Sequence, residues 1–252
     1  MIEESNLETF GQYYKKPQWW FKWRYDTQVK RKTCIELLKK LKISRVSKRI
    51  FELGFGSGDI MFSFSKNCEL YGLEISDTAI EEVSKKAAKI GYREFKFFKP
   101  REDGTISIRD NFIDLAIASH ALEHVPDDKQ CIKELFRILK VGGSLAVLVP
   151  INEHLSDVSH AHGYTFDSCK KLCEDCGFKF IYGFENELLF YLVERLYYLR
   201  RGNKWGSFAN FFRIIFNILT APLPFWVYRR ADAVIARITH LPARQAALIF
   251  VK

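Results

Sequence analysis

From residue 49 onward, short apolar runs alternate with amphipathic stretches. Arg49–Leu53 (RIFEL), Glu69–Glu74, Glu94–Phe98, Phe112–Ala118 (FIDLAIA) and Ser144–Val149 read as strands, being brief and rich in aromatic and branched side chains. Between them lie helical spacings. Ser57–Ser65 is predicted as a first helix, Asp77–Ile90 as a second burying Ile80, Val83 and Ala87, and Asp127–Lys140 as a third with Ile132, Leu135, Phe136 and Leu139 inward. Gly142-Gly143 is expected to end that third helix, since glycine tolerates a left-handed cap. Phe166–Cys176 reads as a further helix, Phe178–Gly183 as the start of a sixth strand and Gln245–Val251 (QAALIFV) as the last. Phe112–Ala118 is almost continuously apolar, as a central parallel strand covered on both faces should be. The alternation predicts an α/β protein with a doubly wound, mostly parallel seven-stranded sheet and right-handed crossovers.

Two stretches fall outside that rhythm. Trp19–Ile43 is helical in pattern, with Ile35, Leu38 and Leu41 on one side and lysines on the other. Leu188–Ile238 is rich in aromatics and arginines and also helical, giving an insertion of about fifty residues before the last strand. The expected organisation is a basic cap over residues 1–47, a core over 48–187, the insertion over 188–241 and a final core strand over 242–252.

Within the insertion, Phe208, Phe211, Phe212, Ile215 and Leu219 share one helical face, while Asn210, Arg213, Asn217 and Thr220 share the other. The apolar run 211–227 contains Arg213, Pro222 and Pro224 and is shorter than the ~20 residues a membrane span needs. Two readings of the apolar face remain. It could lie on an anionic membrane surface, flanked by Arg200, Arg201, Arg229 and Arg230, or pack as a lid or subunit contact.

Charge sharpens the picture. The chain carries a formal +9, concentrated in two places. Residues 15–49 hold thirteen Lys/Arg against Asp26 and Glu36, residues 195–237 hold eight against Asp232, and the stretch between is net acidic. Two cationic surfaces flanking a less charged core suit anionic lipid, nucleic acid or an acidic substrate. The first ten residues are acidic and lack an apolar signal segment, so a cytoplasmic protein is expected, peripheral at the inner membrane face if the insertion binds lipid. Six cysteines are read as thiols. Cys169, Cys173 and Cys176, near His160 and His162, have helical rather than zinc-finger spacing, so no metal is expected there.

The candidate chemistry centres on Glu52-Leu-Gly54-Phe-Gly56-Ser-Gly58-Asp59, placed between a strand and a helix. Glycines there let backbone turn sharply and approach a ligand, and free N–H groups favour its anionic end. Glu74 ends the next strand, where a carboxylate can accept ribose hydroxyls. A nicotinamide dinucleotide would want Gly-x-Gly-x-x-Gly, and here the third glycine comes one residue early.

The string FELGFGSGD resembles motif I of class I S-adenosylmethionine (SAM)-dependent methyltransferases, and YGLEIS, NFIDLAIASHALEHV and LFRILKVGGSLAVLVP resemble the segments that follow it in the small-molecule, type-11 subgroup, which includes quinone-biosynthesis methyltransferases. The likeness covers residues 48–184 and the last strand. It implies a Rossmann-like methyltransferase fold with SAM as cofactor. It also implies that Gly54, Gly56 and Gly58 line the methionine end with Glu52 beneath, that Glu74 holds the ribose, that Ile75 flanks the adenine, and that Ser119 and His120 border the sulfonium. The adenine-binding Asp of the pattern is replaced by KPREDGTISIRDN, leaving Glu102 or Asp103 as stand-ins, and Val141 replaces a proline.

A hydroxyl or acidic carbon acceptor needs its proton removed. His120, His124, His160 and His162 are near enough in this pattern, with His120 and His160 favoured as base; His124 could instead orient its loop. Tyr13 and Tyr14 could close over the cofactor. The expected function is methyl transfer to a small-molecule, lipid-type or lipid-linked O or C acceptor. Alternatives are a nucleic-acid methyltransferase, disfavoured by SHALEH where base-gripping enzymes carry Asn/Asp-Pro-Pro-aromatic, and a non-catalytic SAM-binding protein.

Overall fold

The computed structural model describes residues 24–40, 48–152, 160–186 and 206–252. Seven strands form one sheet: β1 (Arg49–Leu53), β2 (Glu69–Leu73), β3 (Phe95–Phe98), β4 (Ile113–Ser119), β5 (Leu139–Pro150), β6 (Lys179–Asn186) and β7 (Gln245–Val251). Their order is β3-β2-β1-β4-β5-β7-β6, with β7 alone antiparallel to its neighbours. The chain starts in the middle and winds outward in both directions, so β1 and β4 lie side by side where the winding reverses. Their C-terminal ends open the crevice in which such sheets bind ligands.

Helices α1 (Tyr25–Lys40), α2 (Asp77–Ile90), α3 (Asp128–Ile138), α4 (Phe166–Asp175), α5 (Gly206–Thr220) and α6 (Phe225–Ile238) complete the described structure. The period-2 pattern of β4 feeds two cores. Leu115 and Ile117 pack with Cys34, Leu37 and Leu38 of α1 and Val83 and Ala87 of α2, while Ala116 and Ala118 pack with Ile132 and Leu135 of α3 and Cys169 and Cys173 of α4. The two cysteines are thus fully buried apolar filling. Helix ends follow local chemistry. The Ser76 side chain caps α2 and Gly91, at φ 92°, closes it; Thr165 and Ser168 form a reciprocal capping box on α4.

Two expectations are corrected. Ser57–Ser65 forms turns with only a 3-10 turn at Met61–Ser63. Gly58 is left-handed, the Glu52 carboxylate accepts the Met61 N–H that a helix would use, and Ser63 bonds back to Ile60 O. Gly142, left-handed at φ 77°, does not cap α3: the helix ends at Ile138, Leu139 is already extended, and both glycines lie inside β5. In α5 the polar face turns inward. Asn217 is fully buried, its Oδ1 accepting the Tyr25 N–H at 2.9 Å, and Thr220 is buried beside it. Phe211, Phe212 and Leu219 instead face outward at 58, 45 and 64 % exposure. The side chains of Phe208, Asn210 and Arg213 lie outside the described residues, as do Tyr13, Tyr14, Arg200, Arg201 and the ends of the predicted Trp19–Ile43 helix.

Helices α5 and α6 are fastened to α1. Lys32 Nζ donates to Ala221 O and Leu223 O, where α5 ends, and lies 3.2 Å from the Tyr228 hydroxyl of α6. A cation on the C-terminal carbonyls of a helix is favourable, so part of the basic N-terminal charge is structural.

Candidate active site

A cavity of about 770 Å³ opens at the C-terminal ends of β1 and β4. Gly54, Glu74 and Ile75 form one wall, Glu102, Thr105 and Ile106 another, and His120, His124 and Gln130 the far end. Its size is that of a cofactor site.

The glycine loop is held from two sides. Gly54, at φ 61°, donates its N–H to Leu73 O, and a Cβ added there would lie 2.6 Å from Ala121 Cβ. Only glycine fits between loop and β4 exit. Glu74, 5 % exposed, accepts from Gly56 N through Oε2 and from Ile75 N and Ser76 N through Oε1, which ties the loop to the tip of β2. Burial pushes its carboxyl upward, opposed by those three N–H donors. Glu52 lies buried under the loop, its pKa also raised by burial, with Met61 N–H donating to it. It supports the loop and does not line the cavity. Gly58, at φ 73°, faces the Phe62 ring, and Gly56 borders a second, shallower depression with Ser57 and Ala79. Of the three glycines, Gly54 alone lines the main cavity.

At the far end His120 has φ 50°, a left-handed backbone that costs a non-glycine residue about 1–2 kcal/mol. Its N–H donates to Leu148 O at 2.8 Å, which fixes the bend. Such strain collects at functional positions. Its ring Nε2 meets Gln245 Oε1 at 2.8 Å, Gln245 Nε2 donates to Asn186 Oδ1, and Asn186 Nδ2 donates to Thr33 Oγ1. This buried polar chain runs from the cavity through β7 and β6 into α1. The other ring nitrogen, Nδ1, lies 3.6 Å from Glu123 Oε1. Burial, then Lys30, holds the His120 pKa well below the ordinary histidine value.

Ser119 is half-buried and its Oγ has no hydrogen-bond partner among the described residues. His160 packs its ring edge-on against His124, with centroids 4.8 Å apart, and does not line the cavity. His162 sits 3.0 Å from Val125 O through Nε2, a loop-pinning contact. Of the two adenine-side candidates, Glu102 lines the cavity, whereas Asp103 turns to Thr105 N and Oγ1. Gln245 and Glu123 carried no sequence signal beyond being polar in apolar surroundings.

The sheet order and the crevice are those of the class I SAM-dependent methyltransferase fold. Residues 51–147 match the family described as "Methyltransferase domain". The chain is 26 % identical over 123 residues to a demethylmenaquinone methyltransferase of Protochlamydia amoebophila, covering 47 % of this chain and 51 % of that protein. It is 26 % identical over 127 residues to a ubiquinone/menaquinone biosynthesis C-methyltransferase of Proteus mirabilis, covering 48 % and 51 %. The chain spans about half the length of the curated relatives it matches. In fold it is similar to a putative sarcosine dimethylglycine methyltransferase from Galdieria sulphuraria, with TM-score 0.63 and 16 % identity over 87 % of this chain and 83 % of that one. It is also similar to a phosphoethanolamine N-methyltransferase of Haemonchus contortus in complex with SAM, with TM-score 0.60 and 14 % identity over 87 % and 52 %.

Proposed function

We propose that this chain moves the methyl group of SAM to an oxygen or carbon of a lipid-type small molecule, taken up at an anionic membrane surface. The observation that carries the activity is the cavity joining the Gly54–Glu74 wall to His120. The residues present suit the cofactor. Gly54 leaves room for close backbone approach, Glu74 Oε2 accepts a single N–H and keeps a lone pair for a further donor, and Ile75 offers an apolar edge. Bound there, SAM would supply an activated sulfonium methyl for direct transfer to the acceptor, whose proton would leave to a base. His120 is the base in this reading, its ring held at the cavity by the Gln245 contact. His160 backs His124 as a second ring. Alignment and water exclusion supply the rest, together about 7–11 kcal/mol in favourable cases.

The lipid part rests on the inverted helix pair. Phe211, Phe212, Leu219 and Trp226 are exposed, and Arg230, stacked over Trp226 at 5.1 Å, and Arg237 are exposed on α6. An outward apolar face with arginine beside it gains from both insertion and anionic attraction. No helix among the described residues is long and apolar enough to cross a membrane. The activities of the curated relatives support a quinone-type acceptor. The test is calorimetry with SAM, followed by transfer of labelled methyl into lipid extracts presented on vesicles. Absent SAM binding would sink the enzymatic reading, and labelling of water-soluble acceptors alone would sink the lipid one.

A further inference from the structure

Beside the cavity lies a set of side chains that methyl transfer as described does not use. We propose that Glu123, His124 and His160 hold a divalent transition-metal ion, and that its open positions take two oxygens on adjacent carbons of the acceptor. The second half rests on the function proposed above; the first does not.

One ligand atom from each residue lies within 4.8 Å of the others. Ligands at about 2.0–2.2 Å from a shared ion sit ~3–3.5 Å apart, so side-chain rotation closes the set. The backbone already brings the two segments together. Glu123 O accepts from Ala161 N at 2.7 Å and His162 N at 3.3 Å, and His162 Nε2 contacts Val125 O. Residues 160–162 are thereby held beside residues 123–125 beyond the end of β4, and His160 meets His124. Glu123 is 1 % exposed, whereas the two histidines are half-buried and reachable.

His120 Nδ1 also lies 3.6 Å from Glu123 Oε1. Two imidazoles and one carboxylate suit Fe²⁺, Zn²⁺, Mn²⁺ or Co²⁺ and leave coordination positions open. His124 also lines the cavity, so those positions face the acceptor end. An ion there would lower the pKa of a bound hydroxyl and favour an oxygen nucleophile flanked by a second oxygen.

The test uses chelator-treated full-length protein titrated with Co²⁺ alone, read by visible absorption and calorimetry. One ion per chain is expected. His160→Ala and Glu123→Gln should each weaken binding at least about 100-fold, while the exposed His240→Ala should leave it unchanged. SAM calorimetry on the same variants reports folding and tests the methyltransferase reading separately. No spectral change in the wild type, or equal binding by the His160→Ala and Glu123→Gln variants, overturns the metal site and leaves a hydrogen-bonded His–Glu cluster. Catechol should then bind the Co²⁺ form at least about tenfold more tightly than resorcinol does; equal binding overturns the acceptor half.

Discussion

The outward apolar face of α5 and α6 separates two physical readings by the sign of one experiment. Consider the triple substitution Phe211→Ser, Leu219→Ser and Trp226→Ser. These side chains are 58, 64 and 58 % exposed, so a little over half of each is open to water. Fully burying a large apolar side chain is worth about 1.5–3 kcal/mol, so inserting the exposed halves into lipid gains roughly 1 kcal/mol or more apiece. Three together give ~3–5 kcal/mol, at least a hundredfold in partition. Folding stability should hardly change, because surface substitutions stay within about 0.5 kcal/mol each. If the face packed on protein instead, large-to-small changes would cost about 2–5 kcal/mol apiece in stability. Co-sedimentation with vesicles of phosphatidylglycerol and phosphatidylcholine, beside urea unfolding, reads both quantities. A variant that still sediments like the wild type, or that unfolds several kcal/mol more easily, refutes the membrane assignment.

Other expectations follow from single contacts. Gly54→Ala must hold a left-handed alanine and push Ala121 from 2.6 Å; a loss of ~2–4 kcal/mol in urea unfolding and at least tenfold weaker SAM binding are expected, and unchanged calorimetry would contradict the close approach. Asn217→Leu removes the acceptor for Tyr25 N–H and leaves that donor buried; a cost of about 1–3 kcal/mol is expected, against a gain if α5 really preferred an apolar inner face. Glu134 holds the cavity-lining Ile106 by its N–H, and Arg137 keeps its carboxyl below the usual value, chiefly by side-chain hydrogen bonds. Its contribution is therefore present above the unfolded carboxyl pKa near ~4.3 and is lost as pH falls through the lower folded value. Glu134→Gln should flatten the stability curve between pH ~4.5 and the acid limit, as urea midpoints across that range would record.

Much of this was legible in the pattern of residues. Asp77–Ile90 and Gln245–Val251 occur with the expected ends, because a serine cap, a glycine stop and a run of seven pleated residues are local signals. The glycine bend and Glu74 were legible for the same reason. Ser57–Ser65 failed because a buried carboxylate nine residues upstream took a backbone donor, a tertiary event invisible to periodicity. Helix α5 was legible only in part. Periodicity located its apolar stripe correctly and could not say which way the stripe turns; Tyr25 N and Lys32, 192 and 189 residues away in the chain, set that orientation. Gln245 was read only as the first residue of a strand, and its contact with His120 spans 125 positions.

Strand β7 is the last element described yet sits between β5 and β6. On the ribosome, every other strand emerges before it, so facing edges of β5 and β6 stay open until residues 245–251 arrive. The same late segment delivers Gln245 to His120. Nascent chains halted before it would hold the glycine bend and Glu74 while His120 still lacked its Gln245 partner.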